Sequence, residues 1–569
     1  MSIPYEEVEL KDIQFDATQP VAWDTETCGF YGKIRLAQFY QTGWDKVKLV
    51  NWPNPFELTI KLNEAKQVGH NIHYDISCVQ ANTSTRFEPK DYEDTLYLAR
   101  LHFCGKHTFS LDDVMTYVLG YDPYEKEGLN KKELQDSNWN VPVLTEKQKI
   151  YASIDVYFLL AVYEAVKYMT DDTSYKLDML CTHYALDFQN NGMPVLGDVV
   201  QQLYKDNLDE LAKLNIPINV NSYVQVRPYI GSDQSDGLGL ATLALQGNER
   251  ARDVRKARKL LKLNSFLSKF DTNTGYVYGK FLPSARSGRF TSKDQNLQQI
   301  PRKLKKAFGF TPDEKKVLLY ADYAQLEMRT ICSITGEPRM EKILREGGDL
   351  HNFAAEMIFS KDFTPAQRQI TKTANFNLLY AGGVNMFLSI LIEQADLLLS
   401  YAEGAAIKKK WMKIFTSIVK WQEQAISAYK NHRLWATPFG RRYLGKLMTD
   451  QCNIQNQGFG AEVAKLAMHY LMPVLKEKFE PLGVKLCNFI HDSYIVECPD
   501  DPAVYKPVAE LIASSMQRAW FEALRVGNEL RIRDLPMPVK VQTGYVWAGI
   551  EENSIYTYEL KGMEHYEVL

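Results

Sequence analysis

The chain has 569 residues, of which 45% are hydrophobic, 24% charged and 12% aromatic. At roughly 150 residues per domain this length predicts about three to four domains, and the composition is that of a folded globular protein. A peptide, a disulfide miniprotein, a single binding module and a largely disordered chain are therefore excluded.

The sequence carries no signal for secretion or membrane insertion. Its N-terminus lacks the basic start and apolar run of a signal peptide. The uncharged stretch 373–392 contains Asn375, Asn377 and Gly382, so we expect a buried helix followed by a turn, and no membrane partner. Eight cysteines without a CxxC pair indicate free thiols in a reducing cytoplasm.

One segment of the chain is strongly basic. Residues 250–306 contain 16 Lys and Arg against three Asp, a local charge of +13 in a chain whose net charge is −3. Such a concentration suits a phosphate backbone. The alternative is a solvated helix face, because Leu260, Leu261 and Leu263 give the segment an apolar side to bury. Charge alone leaves both interpretations open.

Apolar periodicity and turn signals predict the elements in chain order. Short strands at 21–26, 34–40 and 46–50 precede helices at 92–102, 109–119 and 146–168. A boundary follows near Asp171, and helices dominate after it. Strands return at 316–322, 484–490 and 494–498. We expect these distant strands to form one small sheet, with the mainly helical stretch between them packed as a subdomain.

Four carboxylates in the first 170 residues form an ordered set. Asp24 and Glu26 are two apart in a predicted strand, so both leave the same face of the sheet. Asp75 follows, and Tyr151 stands four residues before Asp155 on one helix face. Neighbouring acids repel unless a cation joins them, so the set predicts two Mg²⁺ or Mn²⁺ ions for phosphodiester cleavage, with Tyr151 orienting a water. Alone, each acid is more typical of a solvated edge.

This ordered set resembles the tyrosine-type proofreading 3′ to 5′ exonucleases, which have a ribonuclease-H-like fold. The resemblance covers residues 1 to about 170. It implies that the metal ligands are four in number: Asp24, Glu26, Asp75 and Asp155.

A second pair of aspartates lies far apart in the chain. An apolar strand delivers Asp322 at its end, a typical position for a metal ligand. Asp492 stands in His491-Asp492-Ser493, between two apolar strands, where a hairpin tip is expected. The alternative for Asp492 is simple turn chemistry, because Asp favours turns.

A helix between these aspartates has the pattern of a nucleoside triphosphate site. Arg368, Lys372, Phe376 and Tyr380 recur at a spacing of four after Pro365, a good first residue of a helix. Two cations and then two aromatics on one face match phosphates followed by base and sugar. A solvated basic face would leave the two aromatics unexplained.

Several ordered blocks resemble the family A DNA polymerases, the DNA polymerase I family. Asp322-Tyr-Ala-Gln-Leu-Glu-Met-Arg matches the first palm motif, Arg368 to Tyr380 the fingers helix, and His491-Asp492 the second palm motif. The conserved block before the palm is matched by Ser287-Gly-Arg289-Phe-Thr-Ser with Asn296-Leu-Gln298-Gln-Ile-Pro301. The helix that touches the primer–template is matched by Asn453-x-x-x-Gln457-Gly458. The resemblance spans nearly the whole chain.

The resemblance implies a role for each matched residue. Two divalent metal ions per active site, Mg²⁺ with Mn²⁺ as the alternative, would be held in the polymerase site by Asp322, Tyr323 and Asp492. The incoming dNTP would meet Arg368, Lys372, Phe376, Tyr380, Gln325 and Glu327. Of these, Arg368 and Lys372 would take the triphosphate, and Glu327 would exclude a ribose hydroxyl. Primer–template DNA would be contacted by Arg289, Asn296, Gln298, Asn453, Gln457 and His491.

Some positions depart from the family pattern. Ser493 replaces the usual Glu, so this position lacks the carboxylate that the family carries near the metals. Asn377 replaces a Gly, Ala381 separates Tyr380 from Gly382, and Thr449 stands where an Arg is common. Because the exonuclease begins almost at residue 1, we expect the family's 5′ nuclease domain to be absent, as in phage-type members. A phage-encoded chain would work in the host cytoplasm.

The expected architecture is α/β and α+β: a ribonuclease-H-like exonuclease domain followed by a right-hand polymerase domain. The exonuclease would occupy 1–170 and the polymerase 171–569, with the thumb at about 180–310, the palm at about 311–337 and 432–569, and the fingers at about 338–431. A monomer is expected. The sequence names no processivity or helicase partner.

The resulting hypothesis is a template-directed DNA polymerase with an editing exonuclease in one chain and a role in DNA replication. One alternative is an exonuclease whose polymerase domain has decayed into a DNA-binding scaffold, which Ser493 alone supports. A single-subunit RNA polymerase would share the aspartates but not Glu327 with a fused exonuclease. A purely structural nucleic-acid-binding protein would not need two metal-ligand sets.

Overall fold

The computed structural model describes residues 3–29, 32–83, 87, 89–282 and 285–560. The chain divides into two compact units. The N-terminal unit is Met1–Leu186 with the segment Gly440–Leu444, and the C-terminal unit is Asp187–Phe439 with Gly445–Leu569.

A mixed sheet forms the centre of the N-terminal unit. Over the described residues its strands are β1 (Tyr5–Glu7), β2 (Val21–Thr27), β3 (Ile34–Gln41), β4 (Val47–Asn51), β5 (Gln67–Gly69) and β6 (Tyr92–Asp94). Their spatial order is β1-β4-β3-β2-β5-β6. β2 is antiparallel to β3 and parallel to β5. Because β2 lies inside the sheet and begins with the buried Val21, Ala22 and Trp23, its position is fixed from both sides. The predictions of strands at 21–26, 34–40 and 46–50 are confirmed.

Helices surround this sheet. In chain order they are α1 (Pro55–Leu62), α2 (Ile72–Ala81), α3 (Thr95–His102), α4 (Leu111–Leu119), α5 (Pro123–Lys126), α6 (Lys131–Gln135), α7 (Glu146–Tyr157), α8 (Leu159–Val166) and α9 (Thr173–Asn191). Thr145 and Gln148 form a capping box that starts α7. The helix predicted at 146–168 is two helices. α7 packs against β2, β3 and β4, whereas α8 packs against α3 and α4.

An antiparallel sheet organises the C-terminal unit. The strands beyond residue 187 are β7 (Met193–Pro194), β8 (Tyr276–Val277), β9 (Lys280–Leu282), β10 (Thr291–Lys293), β11 (Lys316–Tyr323), β12 (Trp435–Ala436), β13 (Arg442–Tyr443), β14 (Lys485–Ile490), β15 (Ser493–Pro499), β16 (Val539–Gly544) and β17 (Tyr556–Leu560). Within the described residues, the order of the main sheet is β14-β15-β11-β16-β17. The three distant predicted strands therefore share one sheet, as expected.

The helices of the C-terminal unit include the long pair α21 and α22. In chain order they are α10 (Gly197–Leu214), α11 (Tyr223–Ile230), α12 (Gly237–Leu245), α13 (Glu249–Leu267), α14 (Leu326–Thr335), α15 (Pro338–Arg345), α16 (Leu350–Ile358), α17 (Pro365–Leu379), α18 (Val384–Ala395), α19 (Tyr401–Ile414), α20 (Thr416–Lys430), α21 (Met448–Val474) and α22 (Pro502–Val526).

The uncharged stretch 373–392 forms the end of α17, a turn and most of α18. Ala374, Leu378 and Leu379 are buried in α17, so the prediction of a buried helix followed by a turn is confirmed. In the described part of the chain no helix combines the length and the apolar character needed to cross a membrane.

Helix α22 covers one face of the antiparallel sheet. The hydroxyl of Tyr323 on β11 donates to the backbone oxygen of Met516 on α22 at 2.9 Å. The Trp520 indole donates to the oxygen of Leu535 at 2.6 Å. Because successive side chains of a strand point to opposite faces, Asp322 lies on the other face of β11.

A buried arginine fixes the turn that follows Asp322. The side chain of Arg329 is only 2% exposed. Its Nε donates to the oxygen of Ala324 at 2.9 Å, and its Nη1 donates to the oxygen of Pro536 at 2.5 Å. One side chain thus joins the end of β11 to the segment that leads into β16.

We expect Arg329→Met to destabilise the chain by about 3 kcal/mol, because it leaves two partly buried carbonyls without their donor and removes a buried side chain. The free energy of unfolding in urea measures the loss. Arg345→Met is the matched control, since Arg345 forms surface ion pairs with Glu341 and Asp534 and should cost less than about 1 kcal/mol. Equal losses in the two variants would contradict this role of Arg329.

Candidate active sites

Three carboxylates of the N-terminal unit converge. Asp24 and Glu26 leave one face of β2, and Asp155 approaches from α7. Ligand oxygens of these three side chains all lie within 4.8 Å of one another. Of the four acids that the sequence singled out, these three form the close group, and Asp75 lies beside it.

Hydrogen bonds hold the acids in place. The amide and the hydroxyl of Thr25 both donate to Oδ1 of Asp75, at 3.0 and 2.7 Å. Nε2 of Gln38 donates to Oδ2 of Asp24 at 2.6 Å. Asp24 and Asp75 are themselves joined by a side-chain hydrogen bond. Thr25 therefore holds Asp75 beside Asp24.

Burial raises the pKa values of all four acids, and repulsion by neighbouring carboxylates raises those of Asp24, Glu26 and Asp155 further. Burial is the largest cause for each, and it raises the pKa of Asp75 to about 7. The pKa values of Asp24, Glu26 and Asp155 rise well above the ordinary range, with neighbouring carboxylates as further causes. A divalent cation would supply the positive charge that such a cluster lacks, so the residues fit a metal site.

Two tyrosines adjoin Asp155. Tyr151 is buried, and burial followed by the charge of Asp155 raises the pKa of its phenol, which therefore keeps its proton. Tyr124 packs against it with ring centroids 5.6 Å apart and donates a short hydrogen bond to Asp155. Sequence analysis missed Tyr124, because α5 has four residues and no periodicity marks it.

The aspartates of the C-terminal unit meet at the tip of the β14–β15 hairpin. Ala321 pairs with Tyr494 in the antiparallel register of β11 and β15, so Asp322 stands level with that tip. Burial first, and then the charge of Asp322, raise the pKa of Asp492 to about 8. Burial also raises the pKa of Asp322 to about 6. Two partly exposed carboxylates that repel each other in this way fit a divalent cation.

Tyr323 and Ser493 flank these aspartates. The side chain of Tyr323 points into the core toward α22, so its phenol takes no part in the site. Ser493 is buried, and its hydroxyl donates to the oxygen of Ile490 at 3.0 Å. The hydroxyl also forms a side-chain hydrogen bond with Tyr320. Ser493 thus closes the hairpin tip and adds no charge.

Glu327 joins four segments of the C-terminal unit. Its carboxylate accepts hydrogen bonds from Arg289 at 2.6 Å and from the hydroxyl of Tyr380 at 2.7 Å. Nδ2 of Asn456 on α21 donates to that hydroxyl and to the backbone oxygen of Glu327, both at 3.0 Å. Asn456 was not singled out from the sequence, since it lies inside a long helix with no motif of its own. The network fixes Glu327 next to Tyr380.

The predicted cationic and aromatic stripe lies on α17 as far as Phe376, and Tyr380 follows the last helical residue. Lys372 is exposed, and Phe376 is 40% exposed. Arg368 instead has partners: its Nη2 donates to Oδ2 of Asp349 at 2.6 Å, and its Nε to Oδ1 of Asn352 at 2.5 Å. Asp349 caps the preceding helix α16, and Asn352 lies in its first turn, so the spacing within α17 did not reveal them.

The predicted DNA-contacting residues fall into two groups. Gln298 is buried and donates to the oxygen of Phe489 at 2.9 Å, so it supports the hairpin. The others are at least partly exposed: Arg289, Asn296, Asn453, Gln457 and His491. Gln325, predicted to meet the nucleotide, has a φ of 55° and starts α14.

A glycine lets two of these blocks approach each other. A Cβ on Gly458 would lie 2.7 Å from Cγ2 of Thr437 and 3.1 Å from the oxygen of Ser287. Any larger residue would push the segment of Arg289 away from α21. The spacing Gln457-Gly458 is thus a packing requirement as well as a motif.

The basic segment 250–306 is partly neutralised within its own unit. On α13, Arg255 pairs with Asp396 at 2.5 Å. Arg258 donates to the backbone oxygens of Val220 and Ser235, at 2.6 and 2.7 Å. Leu260 is buried, whereas Leu261 is 37% exposed. Some of the cations therefore hold the helix in place, and others remain at the surface.

Comparison with known proteins identifies one protein family in the N-terminal part of the chain and another in the C-terminal part. The profile of DNA polymerase family A matches residues 232–549, and the 3′-5′ exonuclease profile matches residues 4–171. DNA polymerase I of Aquifex aeolicus is 24% identical over 92% of this chain and 95% of its own length. The thermostable DNA polymerase I of Thermus filiformis is 29% identical over 48% of this chain and 32% of its own length.

A solved structure shares the fold. The POL domain of Pol1 from M. smegmatis, in complex with DNA primer-template and dNTP, superimposes with a TM-score of 0.73 at 17% identity, over 94% of this chain and 96% of that one. The curated relatives are bacterial enzymes, so the expectation of a phage-type member is not supported. The chain belongs to DNA polymerase family A and is a DNA-directed DNA polymerase that carries a 3′–5′ exonuclease domain ahead of its polymerase domain.

Proposed function

We propose that the two carboxylate sites divide the work of one template-directed polymerase: Asp322 and Asp492 serve primer extension, and the group around Asp24 serves editing of the 3′ end. The observation that carries this proposal is that each unit buries its own set of repelling acids. The exonuclease domain would be residues 1–170 and the polymerase domain residues 171–569, with thumb, palm and fingers as expected from the sequence.

Both sites are proposed to use two divalent ions, Mg²⁺ first and Mn²⁺ as the alternative. Asp24, Glu26, Asp75 and Asp155 would hold them in one unit, and Asp322 and Asp492 in the other. When bound, such ions lower the charge on the phosphate and steady the attacking and leaving oxygens. The protein would hold the acids at fixed distances from one another in a site that is partly shielded from solvent.

The incoming dNTP is proposed to lie along α17. Lys372 offers a free cation, and Arg368 becomes available when a triphosphate replaces Asp349. Phe376 presents an exposed ring to the nucleotide. Gln325 is proposed to contact the nucleotide as well.

Sugar selection is proposed to rest on Glu327. Hydrogen bonds from Arg289 and Tyr380 fix its carboxylate, so a 2′-hydroxyl would meet a group that does not move aside. Tyr380 would stand beside the templating position.

Primer–template DNA is the proposed macromolecular partner. The Pol1 domain of similar fold was solved with such a DNA. We assign the contacts to Arg289, Asn296, Asn453, Gln457 and His491, with Gln298 holding the hairpin on which His491 stands. Free cations of α13 would face the phosphate backbone.

The cellular role is proposed to be DNA replication by a monomer in the cytoplasm, a compartment that suits the eight free cysteines. The alternative of a decayed polymerase domain is not favoured. The polymerase profile matches residues 232–549, a range that contains Asp322, Lys372 and Asp492.

Separable sites are the first test. Asp24→Ala should reduce digestion of a labelled 3′ end by about a thousandfold while primer extension persists, because it breaks only one acidic group. Asp322→Ala should do the reverse. Asp209→Ala, an exposed residue of α10, should leave both activities unchanged. Loss of both activities in either single variant, with the fold intact by circular dichroism, would contradict two sites.

Sugar selection is the second test. Glu327→Ala should relax rejection of rNTPs by about tenfold or more, because it removes a fixed group from the space under the sugar. The ratio of kcat/KM for dNTP and rNTP incorporation measures the change. Glu423→Ala, an exposed residue of α20, is the control. An active Glu327→Ala enzyme with unchanged discrimination would remove this assignment.

A further inference from the structure

The polymerase site combines two aspartates with a serine at the position where the resembling family usually carries a third acid. Ser493 is buried, and its hydroxyl donates to the backbone oxygen of Ile490 at 3.0 Å. The hydroxyl of Tyr320 forms side-chain hydrogen bonds with both Ser493 and Asp322. Position 493 therefore supplies no charge. If the site has a third carboxylate, it must come from another segment.

The strand register shows which segment covers the face of Asp322. Asp322 pairs with Lys540 and Tyr320 pairs with Gln542 across β11 and β16. Paired side chains of neighbouring strands share one face of a sheet. Nε2 of Gln542 donates to the backbone oxygen of Glu551 at 3.2 Å. The turn that contains Glu551 is therefore tied to the face on which Asp322 lies.

Glu551 and Asp322 border the same cavity. Its volume is about 320 Å³, and its lining includes Tyr320, Asp322, Lys540, Gln542, Glu551 and Glu559. Burial is the main cause of the raised pKa of Asp322, and the charge of Glu551 contributes to it. Glu551 is exposed, so its carboxylate remains in contact with solvent.

The neighbouring glutamates differ from Glu551. Glu559 lines the same cavity, but it faces Lys540 across the strand pair, with Nζ to Oε1 at 3.8 Å. Glu552 follows Glu551 in the same turn but does not line the cavity. Glu551 is thus the acid of this turn that borders the cavity together with Asp322.

We propose that Glu551 is the third carboxylate of the polymerase site, supplied by the turn between β16 and β17 in place of an acid at position 493. The inference rests on the proposed role of Asp322 and Asp492 as metal ligands. Mg²⁺ keeps several waters and needs few direct protein ligands. An exposed acid across a cavity can therefore act through those waters, and it strengthens cation binding without direct coordination.

Manganese binding tests the proposal apart from activity. The full chain carries Asp24→Ala and Glu26→Ala, so that the polymerase site remains, and it is complexed with primer–template DNA whose primer ends in a dideoxynucleotide. Free Mn²⁺ is titrated by electron paramagnetic resonance. Glu551→Gln should weaken Mn²⁺ binding about tenfold, and Glu551→Lys more than that. Glu552→Gln makes the same charge change in the same turn and should bind Mn²⁺ as the parent does.

Extension assays provide the second readout. In Glu551→Gln the Mg²⁺ concentration for half-maximal extension should rise by the same factor, while kcat at saturating Mg²⁺ should stay within about threefold. Unchanged Mn²⁺ binding in Glu551→Gln and Glu551→Lys, or equal weakening in Glu552→Gln, would overturn the proposal. Asp492→Asn separates the two levels of the argument. If it weakens Mn²⁺ binding and Glu551→Gln does not, only the third carboxylate fails. If neither weakens binding, the proposed metal site fails.

Discussion

Burial of like-charged carboxylates is the constraint on which both proposed catalytic sites depend. Taking an acid out of water raises its pKa, and a second acid beside it raises the pKa further. Ligand oxygens of Asp24, Glu26 and Asp155 lie within 4.8 Å of one another. The pKa of Asp492 is raised by burial and then by the charge of Asp322. Such arrangements cost stability unless a cation compensates them, so the rest of the fold has to hold them together.

The supporting framework is made of inner strands. β2 and β11 each lie between two partner strands. β2 carries Asp24 and Glu26 on one face, and β11 carries Asp322. Thr25 fixes Asp75 by donating two hydrogen bonds to its carboxylate. Arg329 fixes the turn after Asp322 by donating to two backbone oxygens. Because these donors are buried, the acids are positioned before any ligand arrives.

The residues proposed to meet the nucleotide are arranged differently. Glu327 is fixed by Arg289, Tyr380 and Asn456, whereas Lys372 and Phe376 are exposed. Arg368 is paired with Asp349, so in the proposed complex it would exchange an internal partner for a triphosphate. Under this proposal the rigid part of the site would face the sugar, and the exchangeable part would face the phosphates.

Sequence alone determined the strands that carry Asp24, Glu26 and Asp322, the helix that carries Arg368, Lys372 and Phe376, and the hairpin tip at Asp492, because each depends on local periodicity or turn chemistry. It did not reveal Tyr124, Asn456, Asp349 or the placement of Glu551. These residues reach the sites through a short helix, the middle of a long helix, a neighbouring helix start and a turn, and no spacing rule links them to the motifs. Only the tertiary structure decided which distant acids share a cavity, because burial and strand register are properties of the folded chain.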